Sequence, residues 1–311
     1  MKVHYDLQNL PPFRQAVITT GAFDGVHKGH LQIIQKMKSI AASIQGETVI
    51  ISFHPHPRKV ISAVPGEIKQ LTHLSERISL LDKAGVDHLV VVPFDHRFSN
   101  MTAEEYVKDF IVAHFKPAHI IVGYDHRFGN GRKGDFKLLE TLGKEFQFSV
   151  DEINEQLVNG EIVSSTLIRN CISEKNMEQA NNLLGYPYAF EGYVVRGNQL
   201  GRTIGFPTAN IEPMSDSKLI PGNGVYAVKT CIDGITYQGM MNIGIRPTVS
   251  NSNHRVIEVH LFDFNSDIYG ETVTISLWHR LRGEQTFSGI EELTKQLKKD
   301  EVDSRRHFAS L

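Results

Sequence analysis

The chain has 311 residues, more than one hydrophobic core usually serves, so we expect two domains. Its 41% hydrophobic and 22% charged residues are ordinary for a globular protein and exclude a disordered chain. The formal net charge of −2 gives no global positive field to attract a nucleic-acid backbone. We therefore expect no nucleic-acid partner and local recognition of any anionic ligand.

The compartment can be inferred from the segments and residues that the chain lacks. Met1–Leu10 mixes charged and apolar residues and has no hydrophobic core segment, which a signal peptide would have. No stretch is long and apolar enough to span a membrane, so we expect no membrane partner. The two cysteines, Cys171 and Cys231, lie far apart without metal-type spacing. This pattern fits a reduced compartment and predicts a cytoplasmic protein.

The first half alternates short β-branched runs with helical patterns, which predicts an α/β domain with a parallel sheet and helices on both faces. The expected strands are Ala16–Thr20, Glu47–Phe53, His88–Val92 and Ala118–Val122. Helices are expected over Leu31–Ile44, Leu74–Lys83 and Ala103–His114, each with an apolar stripe.

After Leu184 the pattern changes to closely spaced strands, so we place the boundary at 185/186, giving domains 1–185 and 186–311. The pattern predicts a small six-stranded antiparallel β-barrel with a C-terminal helix, Ile290–Lys299. Asp233–Gly234 is a strong hairpin signal. The expected strands are Phe190–Arg196, Gly224–Ile232, Ile235–Ile243, Arg255–Phe264 and Thr272–Trp278.

A tetrapeptide recurs at Asp95–Phe98 and Asp125–Phe128, each copy just past the carboxyl end of a predicted strand. Ligands bind at that edge of open α/β sheets. Coincidence in two polar loops and a shared ligand-facing role both remain open.

A glycine- and histidine-rich segment, Gly21–His30, lies between the first strand and the first long helix. Glycines allow close backbone approach, and a helix start offers N–H groups to an anion. His27 and His30 are three residues apart, so both can reach one phosphate and donate hydrogen bonds to developing charge. A structural role for both histidines is the weaker alternative.

Zinc is the sharper alternative, because His54 and His56 could join those two histidines around one ion. Pro55 and Pro57 are read more simply as residues that stiffen a loop at the sheet's carboxyl edge. Ser164–Arg169 offers hydroxyls at a helix start and an arginine, which suit phosphates, although such hydroxyls are often plain N-caps.

In the second half, Gly197–Asn210 combines glycines with oxygen donors. Such a loop can lie against a phosphate chain, and the Thr208 hydroxyl and the Asn210 amide oxygen suit Mg²⁺. A simple barrel turn explains the segment equally well. Glu258 shares a strand face with apolar neighbours and is either a solvated carboxylate or a base held in a site.

Together these segments resemble the bifunctional prokaryotic riboflavin kinase/FMN adenylyltransferase family, also called FAD synthetase. The resemblance covers essentially the whole chain and preserves the order and approximate spacing of the motifs. It rests on Gly21–His30, Phe53–Pro57, Gly123–Gly129, Ser164–Arg169 and Gly201–Asn210.

The resemblance implies that a Rossmann-like N-terminal nucleotidyltransferase domain joins AMP from ATP to FMN and releases pyrophosphate. His27 and His30 would stabilise the attacked α-phosphate, while Ser165, Thr166 and Arg169 would hold the triphosphate and Asp125 would lie in the substrate loop. The implied substrate and nucleotide contacts also include Gly21, Phe23, Asp24, Gly29 and His56.

The resemblance also implies a C-terminal kinase that transfers the γ-phosphate of ATP to riboflavin. Glu258 would be the catalytic carboxylate, and Thr208 and Asn210 would bind Mg²⁺. The remaining implied nucleotide-binding residues are Gly201, Arg202, Gly205 and Pro207. His126 departs from the family pattern, since it stands where the substrate loop usually has a phenylalanine.

A different class of hypothesis is a flavin or nucleotide sensor that keeps the fold without turnover. Both sets of reactive side chains are present, which counts against it. The oligomeric state is left open, and a weak homo-oligomer is compatible with the sequence.

Overall fold

The computed structural model describes residues 1–61, 69–197, 200–246 and 254–311. The chain divides into two compact units, residues 1–165 and 166–311. The functional boundary expected at 185/186 stays a prediction, because a compact unit is not by itself a catalytic domain. Among the described residues, no helix combines the length and the apolar character needed to cross a bilayer.

The first unit is built on a six-stranded sheet in which every pairing is parallel. Its spatial order is β1-β4-β3-β2-β5-β6. A two-stranded hairpin, β7 and β8, follows the sheet in the chain. The strands are β1 Lys2–His4, β2 Val17–Thr20, β3 Thr48–His54, β4 His88–Pro93, β5 His119–Gly123, β6 Ser149–Ile153, β7 Leu157–Val158 and β8 Glu161–Ile162.

Helices cover both faces of this sheet, as the sequence predicts. They are α1 Lys28–Ile44, α2 Pro57–Ile61, α3 Leu74–Lys83, α4 His96–Ser99, α5 Ala103–Glu105, α6 Ala113–Phe115 and α7 Phe136–Phe146, with a π-helical stretch Tyr106–Val112 between α5 and α6. Successive side chains of a strand point to opposite faces of the sheet, so alternate residues of each strand pack in two different hydrophobic cores. Val17 and Ile50 pack with Met37 of α1, whereas Ile18 and Ile51 pack with Phe110.

The strand order fixes where ligands are expected on this sheet. From β2 the chain continues to β3 on one side and later to β5 on the other, so the order reverses between β2 and β5. Open α/β sheets bind ligands outside the carboxyl ends of the strands at such a switch point. Gly21 follows β2 and Gly123 ends β5, so both glycine-containing segments lie at this point.

The second unit is a closed antiparallel barrel with the strand order β10-β13-β12-β11-β14-β9. The Asp233–Gly234 hairpin is confirmed, since Ile232 pairs with Ile235 and both turn residues have positive φ angles of 50° and 79°. The strands are β9 Ala189–Val195, β10 Ala209–Pro213, β11 Gly224–Ile232, β12 Ile235–Arg246, β13 His254–Leu261 and β14 Thr272–Arg282.

The described residues from Ser165 onward also form four helices: α8 Ser165–Ser173, α9 Met177–Leu184, α10 Leu200–Thr203 and α11 Ile290–Ala309. Helix α9 is fastened to the barrel through Asn181. Its Oδ1 accepts from the Tyr188 N–H at 2.7 Å and its Nδ2 donates to the Leu277 carbonyl at 2.9 Å. Glu178 of the same helix contacts His279 of β14.

Candidate active sites

The loop after β2 has an unusual backbone. Gly25 has φ 85°, a value that glycine adopts freely, but Phe23 and Val26 also have positive φ angles of 49° and 34°. A β-branched residue rarely adopts such a value, so this segment is strained and needs support from its surroundings. Both side chains supply that support, because Phe23 and Val26 are buried in the core between the sheet and α1.

His27 and His30 meet face to face at the start of α1. Their ring centroids lie 3.7 Å apart, with an interplanar angle of 16°. His27 is the N-cap of the helix, and its Nδ1 accepts the His30 backbone N–H at 3.4 Å. Because Nδ1 is the acceptor, a neutral His27 carries its proton on Nε2 and can donate from there. The expected juxtaposition of the two histidines is therefore present.

Two glycines of this segment make room for aromatic rings rather than for a turn. A Cβ at Gly29 would lie 3.3 Å from the His27 ring, and a Cβ at Gly21 would lie 3.2 Å from the Phe23 ring. The Phe23 ring in turn contacts His30, with centroids 4.7 Å apart. The glycine spacing thus serves the packing of the imidazoles, as well as any close approach to a ligand.

His30 is held neutral by its surroundings. Burial lowers its pKa well below the ordinary value, and the neighbouring His27 and Arg77 lower it further. Its buried Nδ1 has no hydrogen-bond partner within the described part of the chain. A neutral imidazole has one ring N–H to donate, so His30 is suited to hydrogen bonding with an anionic oxygen.

The Asp24 side chain points into the protein interior. Its carboxylate is buried and accepts the backbone N–H groups of Leu71 and Thr72, at 3.1 and 2.8 Å. The Thr72 hydroxyl also accepts the Gly25 N–H at 2.9 Å, and Ser165 Oγ donates to the Asp24 carbonyl at 2.9 Å. These bonds fix the loop, so Asp24 and Ser165 are placed beside the histidines as loop supports.

Sequence reasoning missed Arg77 of α3, which is only 1% exposed. Its Nη1 donates to Ser52 Oγ of β3 at 2.8 Å, and that hydroxyl donates to the Ala22 carbonyl at 3.3 Å. An arginine in an amphipathic helix is normally exposed to solvent, so no sequence pattern predicts that this one is buried.

His54 ends β3 and His56 lies two residues beyond it, as expected, but the two do not complete a metal centre. His56 is buried and its Nδ1 accepts the Arg58 N–H at 3.2 Å, while His54 is exposed. No group of three or more His, Cys, Asp or Glu residues suitable for a metal ion occurs in the described ranges. The zinc alternative is therefore not supported.

The loop after β5 contains Asp125, which is exposed, and the atypical His126. The His126 ring stacks on Phe128, with centroids 5.7 Å apart and an interplanar angle of 28°. Burial lowers the pKa of His126 to about 4, so the ring is neutral near pH 7 and packs as an aromatic group. An aromatic face is thus retained at this position.

The repeated tetrapeptide has one shared structural role. Phe98 and Phe128, the last residues of the two copies, both contact the buried Tyr106 ring, with centroids 6.0 and 5.5 Å away. Both aspartates are exposed, but Asp95 caps α4 through the Phe98 N–H, whereas the described residues directly after Asp125 do not begin a helix. Burial raises the pKa of Tyr106, and a hydrogen bond to Thr20 opposes that rise.

Ser165, Thr166 and Arg169 open helix α8, as the sequence predicts for hydroxyls at a helix start. Ser165 is the last residue of the first unit, whereas Thr166 and Arg169 belong to the second. Their role in holding a triphosphate stays a prediction.

In the barrel unit, the glycine-rich segment forms a short loop with the four-residue helix α10. Asn198 and Gln199 lie outside the described residues. A Cβ at Gly201 would collide with the Phe206 carbonyl, and Gly205 has φ 83°, so both positions favour glycine. His260 Nδ1 of β13 donates to the Pro207 carbonyl at 2.7 Å, which ties the loop to the barrel. Arg202 is exposed.

Strand register brings the expected kinase residues together. Asn210 of β10 pairs directly with Glu258 of β13, and Asn242 of β12 pairs with Glu258 on its other side. Directly opposed residues in antiparallel strands share a face with their Cβ atoms about 4.5–5.5 Å apart. The half-buried Glu258 therefore lies between two amides. Sequence reasoning missed Asn242, because the pairing of two strands cannot be read from the sequence of either strand alone.

The donors expected for Mg²⁺ fit a hard cation. Thr208 immediately precedes β10, and its hydroxyl and the Asn210 amide oxygen are neutral oxygen ligands of the kind that Mg²⁺ accepts. Asn210 is buried, and a Cβ at Gly197 would collide with its amide. Gly197 thus leaves the space that this amide occupies.

Two family models match the chain. The model described as FAD synthetase matches residues 11–167, and the one described as riboflavin kinase matches residues 184–308. Each model covers one of the two sites described above, with the histidine pair in the first and Asn210 and Glu258 in the second.

Whole-length relatives have the same layout. The chain is 40% identical to the bifunctional riboflavin kinase/FMN adenylyltransferase of Listeria monocytogenes, over 95% of this chain and 93% of the relative. It is 37% identical to the Escherichia coli protein of that name, over 99% and 98%. A crystal structure described as a macrolide-efflux protein from Streptococcus pneumoniae superimposes with a TM-score of 0.89 at 31% identity, covering 98% of both chains. The chain belongs to the family of bifunctional riboflavin kinases/FMN adenylyltransferases.

Proposed function

We propose how this bifunctional riboflavin kinase/FMN adenylyltransferase divides its two reactions among its residues. The histidine site of the first unit carries adenylyl transfer from ATP to FMN. The Asn210–Glu258 site of the barrel carries phosphoryl transfer from ATP to riboflavin. The observation that supports this division is that each family model spans one of the two residue clusters.

In adenylyl transfer, a phosphate oxygen of FMN attacks the α-phosphorus of ATP. A bond forms between that oxygen and the α-phosphorus, the bond to the bridging oxygen breaks, and pyrophosphate leaves with the electron pair. The rings of His27 and His30 donate N–H hydrogen bonds to the oxygens that gain charge. Such donors stabilise the transition state without a covalent intermediate.

The triphosphate and the flavin are held by residues around this pair. Thr166 and Arg169 bind the β- and γ-phosphates from the start of α8, where a hydroxyl and a guanidinium suit anionic oxygens. Ser165 contributes its backbone N–H at the helix start, because its hydroxyl already donates to the Asp24 carbonyl. The loop at Asp125 borders FMN, with His126 presenting a neutral aromatic face. Phe23, Asp24 and His56 shape the pocket through the contacts already described.

In the kinase reaction, Glu258 accepts the proton of the ribityl 5′-hydroxyl, the hydroxyl oxygen attacks the γ-phosphorus, and ADP leaves. The Thr208 hydroxyl and the Asn210 amide oxygen would hold Mg²⁺, which would supply charge neutralisation at the phosphates. The loop at Gly201, Arg202, Gly205 and Pro207 follows the phosphate chain, and its tie to His260 keeps it beside β13. Catalysis of this kind consists mainly of positioning and charge stabilisation.

One experiment tests the division of labour. The full chain, the fragment 166–311 and the fragment 187–311 are each incubated with riboflavin, ATP and Mg²⁺, and FMN and FAD are followed by chromatography. We expect FMN and FAD from the full chain and FMN alone from both fragments. Ligand binding by the full chain without any product would favour the sensor hypothesis instead.

The two fragments also test the boundary at 185/186. Fragment 187–311 lacks Asn181 and Glu178, which bind the barrel strand β14, so we expect it to be less stable but still active. A folded fragment 187–311 that binds ATP without phosphorylating riboflavin would move the boundary into residues 166–186.

A cytoplasmic location is part of the proposal. Cys231 is a free cysteine with an exposed thiol, and an exposed thiol persists best in a reducing compartment. Cell fractionation checks this, and recovery of the protein outside the cytoplasmic fraction would contradict it.

A further inference from the structure

Arg77 is the most deeply buried charged group next to the histidine loop, and neither proposed reaction uses it. The residue is 1% exposed, and its Nε has no hydrogen-bond partner within the described part of the chain. Burial lowers its pKa, whereas the charge of the Asp24 carboxylate opposes that shift. An arginine keeps its proton even when buried, so a fixed positive charge lies beneath this loop.

Arg77 supports the loop through a relay of hydrogen bonds. Its Nη1 donates to Ser52 Oγ at 2.8 Å, and Ser52 Oγ donates to the carbonyl of Ala22 at 3.3 Å. Ala22 directly precedes Phe23, where φ becomes positive. The strained part of the loop is therefore tied to α3 through one hydroxyl of β3.

A second connection runs through the segment that leads into α3. The Asp24 carboxylate accepts from the N–H groups of Leu71 and Thr72, and α3 begins two residues later at Leu74. The Arg77 charge stabilises this buried carboxylate. The first connection ends on Ala22 and the second on Asp24. Both residues belong to the part of the loop that leads to His27.

The same charge acts on the imidazoles. Burial, then His27, then Arg77 lower the pKa of His30. Partial burial, then Arg77, then Lys59 lower the pKa of His54. The charged or titratable groups that act on His30 are thus His27 from its own loop and Arg77 from α3, while the Phe23 ring adds no charge.

We propose that Arg77 is a positioning residue for adenylyl transfer, which holds the histidine loop through Ser52 and Asp24 and keeps a permanent positive charge beneath that loop. Burial and His27 lower the pKa of His30 most, and the Arg77 charge adds to them, so His30 stays a neutral donor near pH 7. This inference rests on the proposed role of His30 in the FMN adenylyltransferase reaction.

The direct test removes the charge and follows His30 itself. Arg77→Met keeps the chain length and loses the charge, Arg77→Lys keeps the charge, and Lys83→Met removes a charge from an exposed position on the same helix. The His30 imidazole signal in NMR spectra, assigned by its loss in His30→Ala, is titrated in each protein without ligands. We expect the pH midpoint of the His30 titration to be higher in Arg77→Met and unchanged in Arg77→Lys and Lys83→Met.

Kinetics give the second readout. With FMN and ATP as substrates, Arg77→Met should lower kcat for FAD formation by about 10²-fold, since small displacements of catalytic groups cost that much. The acid limb of its pH–rate profile should move to higher pH, because His30 becomes easier to protonate. Arg77→Lys should lower kcat without moving the acid limb. FMN formation from riboflavin should match the wild type, and because the kinase site lies in the other unit, circular dichroism and thermal unfolding of each variant serve as the control for folding.

The outcomes separate the two proposals. A wild-type protein that forms no FAD overturns the proposed reaction, while the ligand-free titration of His30 still decides the role of Arg77. An Arg77→Met protein with the wild-type midpoint and acid limb overturns the charge role. If Arg77→Met does not fold, Arg77→Gln replaces it for the charge and Ser52→Ala replaces it for the relay, and normal FAD kinetics in Ser52→Ala would refute the positioning role.

Discussion

The two units place their reactive groups in opposite ways. In the parallel-sheet unit, His27 and His30 lie on a loop and a helix start beyond the end of β2, and buried polar groups hold that loop. In the barrel unit, Glu258 and Asn210 lie within paired strands, and their register alone sets their separation. The loop site therefore depends on Asp24 and other supports distant in sequence, whereas the strand site depends on hydrogen-bonded pairing.

This difference predicts how each site fails when it is changed. A substitution in the barrel site should alter chemistry while the pairing of β10 with β13 persists. A substitution among the loop supports should alter geometry and chemistry together, because the strained φ angles of Phe23 and Val26 persist only while their surroundings enforce them.

The largest effect is expected for Glu258→Gln. The variant keeps size and hydrogen bonding but removes the basic oxygen, so riboflavin phosphorylation should fall by about 10²–10⁴-fold, the usual contribution of a positioned base. FAD formation from added FMN should continue at the wild-type rate. Near-normal FMN formation by the folded variant would rule out the base role and direct attention to other carboxylates of the barrel.

His30→Ala is expected to have the next largest effect, on the other activity. Loss of one well-placed donor costs about 10²–10³-fold in rate, so FAD formation from FMN and ATP should drop by that factor. FMN formation should be spared. The measurement is a steady-state rate with each substrate pair, and unchanged adenylyl transfer would refute the role of His30.

The sequence predicts most of the secondary structure, and the reasons for its failures are physical. Helix α3 runs over Leu74–Lys83 and strand β11 over Gly224–Ile232, as expected from their periodicity. The sequence does not predict strands β1, β6, β7, β8 and β10. Strand β1 has three residues and β7 and β8 have two each, too few for a periodic signal. The expected helix Ala103–His114 contains a π-helical stretch, which apolar spacing alone does not reveal.

The motifs predicted which residues carry chemistry but not what supports them. The stacking of His27 on His30 follows from their spacing at a helix start. Arg77 and Thr72 reach the same loop from segments about fifty residues away, so only the tertiary fold reveals them. Asn242 became visible through strand register, for the same reason.

Gly197→Ala tests whether the barrel site tolerates a change of geometry alone. The new Cβ would collide with the Asn210 amide, whereas a Cβ at Gly283 would meet only Arg280 Nη2 at 3.4 Å. We expect Gly197→Ala to lower riboflavin kinase turnover by about 10²-fold through displacement of Asn210, and the matched control Gly283→Ala to retain it. Equal kinase rates in the two variants would show that Asn210 need not keep this position.

The smallest effect is expected for His126→Phe. Since the ring is already neutral and stacked on Phe128, replacing it with the phenylalanine usual in the family should change the free energy of unfolding by less than about 1.5 kcal/mol. Thermal unfolding and the KM for FMN check this. A large rise in KM would show that a ring nitrogen of His126 contacts the substrate.

The central claim, two independent sites in one chain, is tested most directly by complementation. Glu258→Gln and His30→Ala are each supplied with riboflavin and ATP, singly and as an equimolar mixture, and FAD is measured. We predict little FAD from either variant alone and substantial FAD from the mixture, because His30→Ala supplies FMN that Glu258→Gln adenylylates. A mixture of folded variants that forms FMN but no more FAD than the variants alone would contradict the account.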